Sequence, residues 1–127
     1  MSLLLALAMQ TLPAPTLDSW QRVGGDGNGD FAVDPGSIRR AGDEVTALVR
    51  IDVARGERSR ARVIGVLRYV YYCRANTYRL EAGELYNGEG GFVGPAPLRP
   101  EHRADAPVPP GTPNAGVRDR LCGAPAQ

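Results

Sequence analysis

The acidic segment at residues 26–30 (DGNGD) is the first candidate for a chemical site in this chain. Its carboxylate and amide groups stand at alternate positions, as they do in the Ca²⁺-binding loop of an EF-hand. An EF-hand loop has Gly at its sixth position and Glu at its twelfth, whereas Phe31 and Ser37 occupy these positions here. The same residues favour a β-hairpin turn, because Gly and Asn tolerate a positive φ angle. We interpret the segment as a turn and expect no metal site.

Candidate catalytic residues are few and isolated in the sequence. The single histidine, His102, lies in a Pro-rich stretch, and Ser19, Ser37 and Ser59 have neither an elbow motif nor a base beside them. The sequence also contains no Gly-rich segment followed by Lys and Ser or Thr, the pattern that binds phosphate. We therefore expect no catalytic residues, no cofactor and no enzymatic activity.

The two cysteines, Cys73 and Cys122, offer the remaining side-chain chemistry. In an exported protein, two cysteines far apart in sequence indicate one disulfide. The alternative is a reactive or metal-binding pair of thiols, but neither cysteine lies in a CxxC motif, and a zinc site needs more ligands than the sequence offers. A bond that closes a loop of about 50 residues would stabilise the fold by roughly 4 kcal/mol in the chain-entropy model. We predict this disulfide.

The N-terminus indicates that the protein is exported. An apolar run at residues 3–9 (LLLALAM) precedes small and turn-forming residues, which is the order found in a signal peptide. The run is shorter than the roughly 20 apolar residues that span a bilayer. The alternative is a buried apolar helix, but Pro13 and Pro15 would stop it from continuing into the domain. We expect residues 1–16 to be a signal peptide and residues 17–127 to form one domain, without a transmembrane segment, in the periplasm or on the outer cell surface.

The charge balance excludes some partners. The chain has 127 residues and a net charge of +1, with 15 basic and 14 acidic residues interspersed along it. Such a balance produces no strong field towards nucleic acid or an anionic membrane. We therefore expect no nucleic-acid partner.

Alternation of apolar and polar residues predicts an antiparallel sheet. A hairpin is predicted over residues 17–33, and the clearest strand covers residues 45–53. The apolar face of that strand consists of Val45, Ala47, Val49, Ile51 and Val53. Residues 63–73 and 77–86 are rich in β-branched and aromatic side chains, and a tight link at Asn76 predicts that they pair antiparallel.

The tyrosines of this sheet have two interpretations. Tyr69 and Tyr71 share one side of their strand, and Tyr72 lies on the other. Tyrosine is common at interfaces, so the set could form a binding face. The alternative is that they are ordinary cross-strand neighbours, and we favour a core position for one side.

The C-terminal third combines a Pro-rich connection with a short helix. The prolines make residues 94–113 an extended connection. Thr112 is a suitable N-cap, and Pro113 suits the first helical position. Val117 and Leu121 then share one face of the helix, which must pack on the sheet.

The order and spacing of these features resemble one known family. The features are Trp20 near the mature start, the segment DPGSIRR at residues 34–40, the strand at residues 45–53, Cys73 with Tyr78, Arg79 and Leu80 behind it, and a Pro-rich stretch that ends in a short helix and Cys122. They resemble the surface-adhesin protein E family, small envelope proteins of Gram-negative bacteria, over nearly all of the chain after the signal peptide. The resemblance implies an antiparallel sheet with a C-terminal helix tied to it by a disulfide, a location in the envelope, and a role in surface contact or adhesion.

The expected fold is therefore α+β and mostly β, an antiparallel sheet of about five or six strands with a short C-terminal helix tied on by the disulfide. We expect a non-enzymatic, adhesin-like envelope protein that binds another macromolecule, a protein or an extracellular-matrix ligand. A small open sheet also favours a homodimer through a sheet edge, because a partner would cover unpaired backbone groups. The alternative function is a structural or accessory protein of the periplasm with no external ligand. The sequence assigns no binding residues.

Overall fold

The computed structural model describes residues 19–26, 29–53 and 63–123. The predicted signal peptide at residues 1–16 lies outside the described residues, and so do two residues of the predicted turn at 26–30. Across the three described ranges, no helix is long and apolar enough to cross a membrane.

Eight strands and one α-helix make up the described part of the chain. The strands are β1 (Gln21–Asp26), β2 (Gly29–Val33), β3 (Arg39–Ala41), β4 (Glu44–Val53), β5 (Val63–Tyr72), β6 (Thr77–Asn87), β7 (Phe92–Pro95) and β8 (Ala106–Pro107). The helix α1 covers Pro113–Cys122. All strand pairs are antiparallel, in the order β1-β2-β4-β5-β6-β7, with β3 also paired to β4 and β8 to β6. The predicted fold class is thus confirmed.

The two strands beyond the expected five or six are short. β3 pairs with Glu44, Val45 and Thr46 of β4, whereas β2 pairs with the other end of β4. In the same way β8 pairs with Thr77 and Tyr78 of β6, whereas β7 pairs near its other end. Each long strand therefore shares one edge between two short partners. Segments of two or three residues carry no alternation pattern, so periodicity does not reveal them.

Both predicted strand pairings are present. β1 and β2 form the predicted hairpin, and β5 and β6 pair along their full lengths. The link between β5 and β6 turns at Asn76, whose φ of 57° lies in the left-handed region that Asn tolerates. Its backbone N–H donates to the carbonyl of Tyr72 at 2.8 Å, which closes the turn.

One face of the sheet, the core face, packs against α1. The buried cluster on this face comprises Val33, Val45, Ala47, Val49, Leu67, Tyr69, Tyr71, Leu80, Val108, Val117 and Leu121. Val117 and Leu121 are completely buried, which confirms the predicted apolar face of the helix. Burial of an aliphatic side chain of this size contributes about 1.5–3 kcal/mol. These two residues therefore make a large apolar contribution to the packing of the helix on the sheet.

The start of α1 follows the sequence prediction. Thr112 is the N-cap, because its side-chain oxygen accepts a hydrogen bond from the N–H of Ala115, and Pro113 occupies the first turn. Gly116 brings the helix very close to β1, since a Cβ at this position would lie 2.6 Å from the carbonyl oxygen of Val23.

A disulfide joins the end of α1 to the end of β5. Cys73 directly follows β5, Cys122 is the last residue of α1, and the structure bonds them with their Cα atoms 5.6 Å apart. The predicted pairing is present in the structure, and it holds the end of the helix beside the end of a central strand.

The Pro-rich connection (residues 94–113) runs along the outer edge of β6. Its backbone forms specific hydrogen bonds, from Ala96 N–H to the carbonyl of Gly83 at 2.9 Å and from Val108 N–H to the carbonyl of Asn76 at 3.2 Å. Val108 also enters the core. The connection is therefore attached to the sheet at the middle of β6 and just before its start.

Candidate functional site

The second face of the sheet, the groove face, lies opposite the core face. Side chains alternate between the two faces along a strand. Leu67 and Tyr69 of β5 are buried on the core face, so the residue between them and its alternate neighbours point to the groove face. In this way β5 contributes Ile64, Val66 and Arg68 to it.

The strand register places neighbours beside these three residues. Arg68 lies between Leu48 of β4 and Ala82 of β6. Ile64, four residues away, pairs with Tyr86 of β6. Directly opposed side chains in an antiparallel pair have Cβ atoms about 4.5–5.5 Å apart, so each row forms one continuous surface.

A groove of about 750 Å³ runs over this face and is here called the groove. Its apolar and aromatic lining includes Trp20, Leu48, Ile64, Val66, Ala82 and Tyr86. Its charged lining is Arg50, Arg68, Glu84 and Glu89. A concave, mainly apolar surface with a few charged groups is the usual form of a binding site, and the volume lies within the range of about 300–1,000 Å³ seen in ligand pockets.

The four charged groups of the groove differ in how well they are already paired. Arg50 lies 3.5 Å from Asp52, and both side chains are largely shielded from solvent. Arg68, in contrast, is exposed and has no ion-pair partner among the residues that the structure describes. Arg68 is therefore the cation of the groove that is most available to a ligand.

Tyr86 and Glu84 form the opposite wall of the groove. The hydroxyl of Tyr86 donates to Glu84 Oε1 at 3.2 Å. Burial, and after it the hydrogen bond and the charge of Glu84, raises the pKa of Tyr86, so the phenol keeps its proton to a higher pH than an exposed tyrosine does. The wall thus offers an aromatic ring and a carboxylate that has already accepted one hydrogen bond.

Exposed apolar side chains extend the groove at the hairpin between β6 and β7. The ring of Phe92 meets the ring of Tyr86 edge-on, with centroids 5.9 Å apart. Phe92 is 60% exposed and the adjacent Val93 is 64% exposed, and these are the large hydrophobic side chains that the described part of the chain leaves in solvent. Apolar surface of this kind next to a groove is typical of an interaction site.

A comparison with known protein families identifies the family of this chain. The model of the surface-adhesin protein E family matches residues 20–123. This chain belongs to the surface-adhesin protein E family. The match begins at Trp20 in the groove and ends one residue after α1, so it includes both the groove and the disulfide. No curated protein and no solved structure matches the chain.

Three tyrosines of this surface-adhesin E family member belong to the core face. Tyr69, Tyr71 and Tyr78 stack on one another with ring centroids 5.9 to 6.0 Å apart. The hydroxyl of Tyr71 donates to Asn114 Oδ1 of α1 at 2.5 Å, which adds a polar contact to the apolar helix–sheet packing. Burial is the main cause that raises the pKa of Tyr69 and of Tyr71. The core interpretation is confirmed for this side of β5.

Tyr72, on the other side of β5, helps to attach the Pro-rich connection. The guanidinium of Arg79 lies over its ring at 5.3 Å and donates to its hydroxyl. The same guanidinium lies 3.6 Å from Asp105 of the connection and 3.4 Å from Glu81. Arg79 is therefore occupied by structural contacts.

Ser37 and His102 have structural roles, and Ser19, which the structure also describes, is exposed just before β1. Ser37 Oγ donates to the carbonyl of Asp34 at 2.7 Å and accepts from the N–H of Leu48 at 2.8 Å, which fixes the turn against β4. His102 Nδ1 accepts from the N–H of Arg99 at 3.1 Å and closes a single 3₁₀ turn. Ser59, the third candidate nucleophile, lies outside the described residues.

The acidic segment at 26–30 is only partly described. Asp30 pairs with Arg22 across the β1–β2 hairpin at 2.9 Å. Among the described residues, no group of three or more His, Cys, Asp and Glu side chains is placed to hold a metal ion. The turn interpretation agrees with the hairpin that surrounds the segment.

The groove was not predicted from the sequence. A signal was present, because β4 and β5 carry Leu48, Ile64 and Val66 on the face opposite the core. A sheet face that is only solvated would carry polar residues at these positions. Apolar residues on both faces of two neighbouring strands therefore indicate that each face has something to contact.

Proposed function

We propose that this member of the surface-adhesin E family is a non-enzymatic, exported protein that binds another macromolecule through the groove, at the cell surface or in the periplasm. Family membership supports an adhesin-like role. The observation that carries the proposal is the groove itself, with its apolar floor, its charged lining and the exposed Phe92 and Val93 at one end. Aromatic and arginine side chains of this kind dominate binding energy at protein interfaces.

An adherence assay tests this function. Beads coated with the mature, oxidised protein are added to epithelial cell monolayers and to surfaces coated with extracellular-matrix proteins. Replacing both exposed side chains (Phe92→Ser with Val93→Ser) should reduce adherence about tenfold, the effect of losing roughly 1.4 kcal/mol at an interface. Arg40→Ser is a control for an exposed substitution to serine elsewhere, because Arg40 is exposed on β3 and does not line the groove. Equal adherence of the wild-type protein and the double variant would contradict binding through this end of the groove.

The place of action needs a separate experiment. Protease treatment of intact cells should degrade a protein on the outer surface and spare one in the periplasm. If intact cells protect the protein and coated beads do not adhere, the alternative function as a periplasmic structural or accessory protein is favoured.

Self-association through a sheet edge is part of the same proposal. β1 ends the strand order on one side and is six residues long, whereas β7, at the other end, has four residues and finishes at Pro95. Because proline blunts an edge, β1 is the better surface for a second copy. Sedimentation should show a dimer at high micromolar concentration, and a monomer at all concentrations would contradict this.

A further inference from the structure

We propose that the groove binds an extended polypeptide segment with an acidic residue at one end, apolar residues in the middle and a basic residue at the other end. This inference rests on the proposed function and adds the chemistry of the partner. It follows from the order in which β5, β6 and the hairpin after β6 present their side chains.

The side chains of β5 are regularly spaced along the groove. Arg68, Val66 and Ile64 are successive residues of β5 on the groove face. Alternate residues of a strand are about 6.8 Å apart, so these three side chains span about 14 Å. An extended peptide presents its own alternate side chains at the same interval. Five peptide residues therefore match the three positions, with the first, third and fifth side chains facing the sheet.

The two ends of the groove carry opposite charges. Arg68 is exposed, has no ion pair within the described ranges, and lies between the uncharged Leu48 and Ala82. Glu89 lines the other end of the groove, in the hairpin that follows Tyr86. A carboxylate of the ligand is thus favoured beside Arg68, and a cation beside Glu89.

The middle of the groove is mainly apolar. Val66 is apolar and pairs with Arg50 on one side and Glu84 on the other. Arg50 is already paired with Asp52, and Glu84 already accepts from Tyr86, so neither has the exposed, unpaired character of Arg68. The apolar surface between them is suited to an apolar side chain of the ligand.

The charge order also decides between classes of ligand. A nucleic acid or an anionic lipid would meet Glu84 and Glu89 as well as the arginines, and the net charge of the chain is only +1. A polypeptide carries charges of both signs and apolar groups within a few residues. It is therefore the ligand whose charge order complements that of the groove.

A peptide library tests the inference. Random seven-residue peptides displayed on phage are selected on the immobilised full-length mature protein with its disulfide intact. The enriched peptides should contain an acidic residue, apolar residues two and four positions later, and a basic residue after them, or the same order reversed. A synthetic peptide of the enriched sequence is then titrated by calorimetry.

A charge exchange makes the test specific. Arg68→Glu should weaken the synthetic peptide at least tenfold, and replacing the acidic residue of the peptide by lysine should restore binding to this variant. Arg40→Glu is the matched control, because it makes the same charge change outside the groove and should leave the affinity unchanged. Circular dichroism verifies that both variants fold. If Arg68→Glu binds the original peptide as tightly as the wild type does, the inference is wrong.

Other outcomes would also overturn the inference. Two of them are the failure of any peptide to be enriched and an enriched order without the acidic residue. Tighter binding of a synthetic peptide of residues 2–12 would make the N-terminal segment of this chain the occupant. A wild-type dimer that Arg68→Glu dissociates would make the occupant a second copy. The adherence assay separates this inference from the proposed function. Beads that adhere while no peptide is enriched leave the function standing and refute only the partner chemistry.

Discussion

Gly116 is a residue of α1 that lies very close to the backbone of β1. A methyl group there would lie 2.6 Å from the carbonyl oxygen of Val23, and a backbone atom cannot rotate away as a side chain can. We therefore predict that Gly116→Ala destabilises the protein by about 1–3 kcal/mol, the usual cost of overpacking, although alanine improves helix propensity by up to about 1 kcal/mol. Urea unfolding followed by circular dichroism measures the difference.

Gly94→Ala is the matched control for that prediction. A Cβ at Gly94 would meet no atom within 4 Å, and its backbone does not require glycine. We expect this variant to be neutral or slightly more stable, because alanine has less conformational freedom in the unfolded chain. Equal stability of the two variants would contradict the close helix–strand contact.

The buried tyrosines make stability depend on alkaline pH. Burial raises the pKa of Tyr69 and of Tyr71 well above the value of about 10 expected in the unfolded chain. Above pH 10 the unfolded chain therefore releases protons that the folded chain keeps, so stability is complete below pH 10 and falls as the pH rises. We expect a loss of about 2 kcal/mol between pH 10 and pH 11 from the two groups together.

Unfolding by urea at pH 8, 10 and 11 measures this dependence. Tyr71→Phe should remove about half of the loss between pH 10 and pH 11. It should also lower stability at pH 8 by about 0.5–1.5 kcal/mol, because the hydrogen bond to Asn114 disappears. A stability that is constant up to pH 11 would show that neither phenol is held in its neutral form by the fold.

The helix α1 is an element that depends on its surroundings. It has ten residues, and isolated helices shorter than about 12–15 residues are marginal in water. Its cap at Thr112, its buried Val117 and Leu121, and the disulfide at Cys122 hold it against the sheet. Because the helix is too short to be stable alone, the loss of one of these contacts also weakens the others.

We predict that Cys122→Ser frees this element before the sheet unfolds. The free energy of unfolding should fall by about 2–5 kcal/mol, the usual effect of removing a native disulfide. Limited digestion with trypsin should then cleave after Arg118 and Arg120 in α1 before it cleaves after Arg68 or Arg79 in the sheet.

Thiol titration provides the independent measurement for the same element. The unreduced, denatured wild-type protein should show no reactive thiol, whereas two per chain would refute the pairing in solution. Thr112→Ala is a useful comparison, because it removes only the N-cap and should cost about 1 kcal/mol without exposing the arginines of α1 to trypsin.

The whole molecule is expected to be exported and trimmed. The apolar run at residues 3–9 followed by prolines predicts removal of residues 1–16 or a segment close to that length. Cell fractionation followed by mass spectrometry of the purified protein should find a shortened N-terminus outside the cytosol. An intact Met1 on protein confined to the cytosol would contradict export, and it would also weaken the case for a disulfide in the cell.

The sequence by itself predicted the elements whose signals are local. Alternation defined β4 and its apolar face, Thr112 and Pro113 defined the start of α1, and Asn76 marked the turn between β5 and β6. Periodicity, capping and turn preference depend on residues that are neighbours in the chain, so the sequence alone is enough to recognise them. The disulfide could be predicted because the chain contains only two cysteines.

Only the tertiary structure decided what these elements place together. From the sequence, Gly116 is expected only to weaken a helix. The structure shows that glycine is needed there because α1 lies against the carbonyl of Val23. The strands β3 and β8 form because longer strands leave parts of their edges unpaired. These features depend on contacts between residues far apart in the chain, which local patterns do not encode.

The groove shows the same division most clearly. In β6, Leu80 pairs with Tyr69 but Ala82 pairs with Arg68, so Glu81 is an extra residue that forms a β-bulge. Without the bulge, strict alternation from Leu80 would place Ala82 and the alternate residues after it on the core face. The bulge moves them to the groove face, where they complete the lining. Alternation along one strand could not predict this, because a bulge is defined by the register with the partner strand.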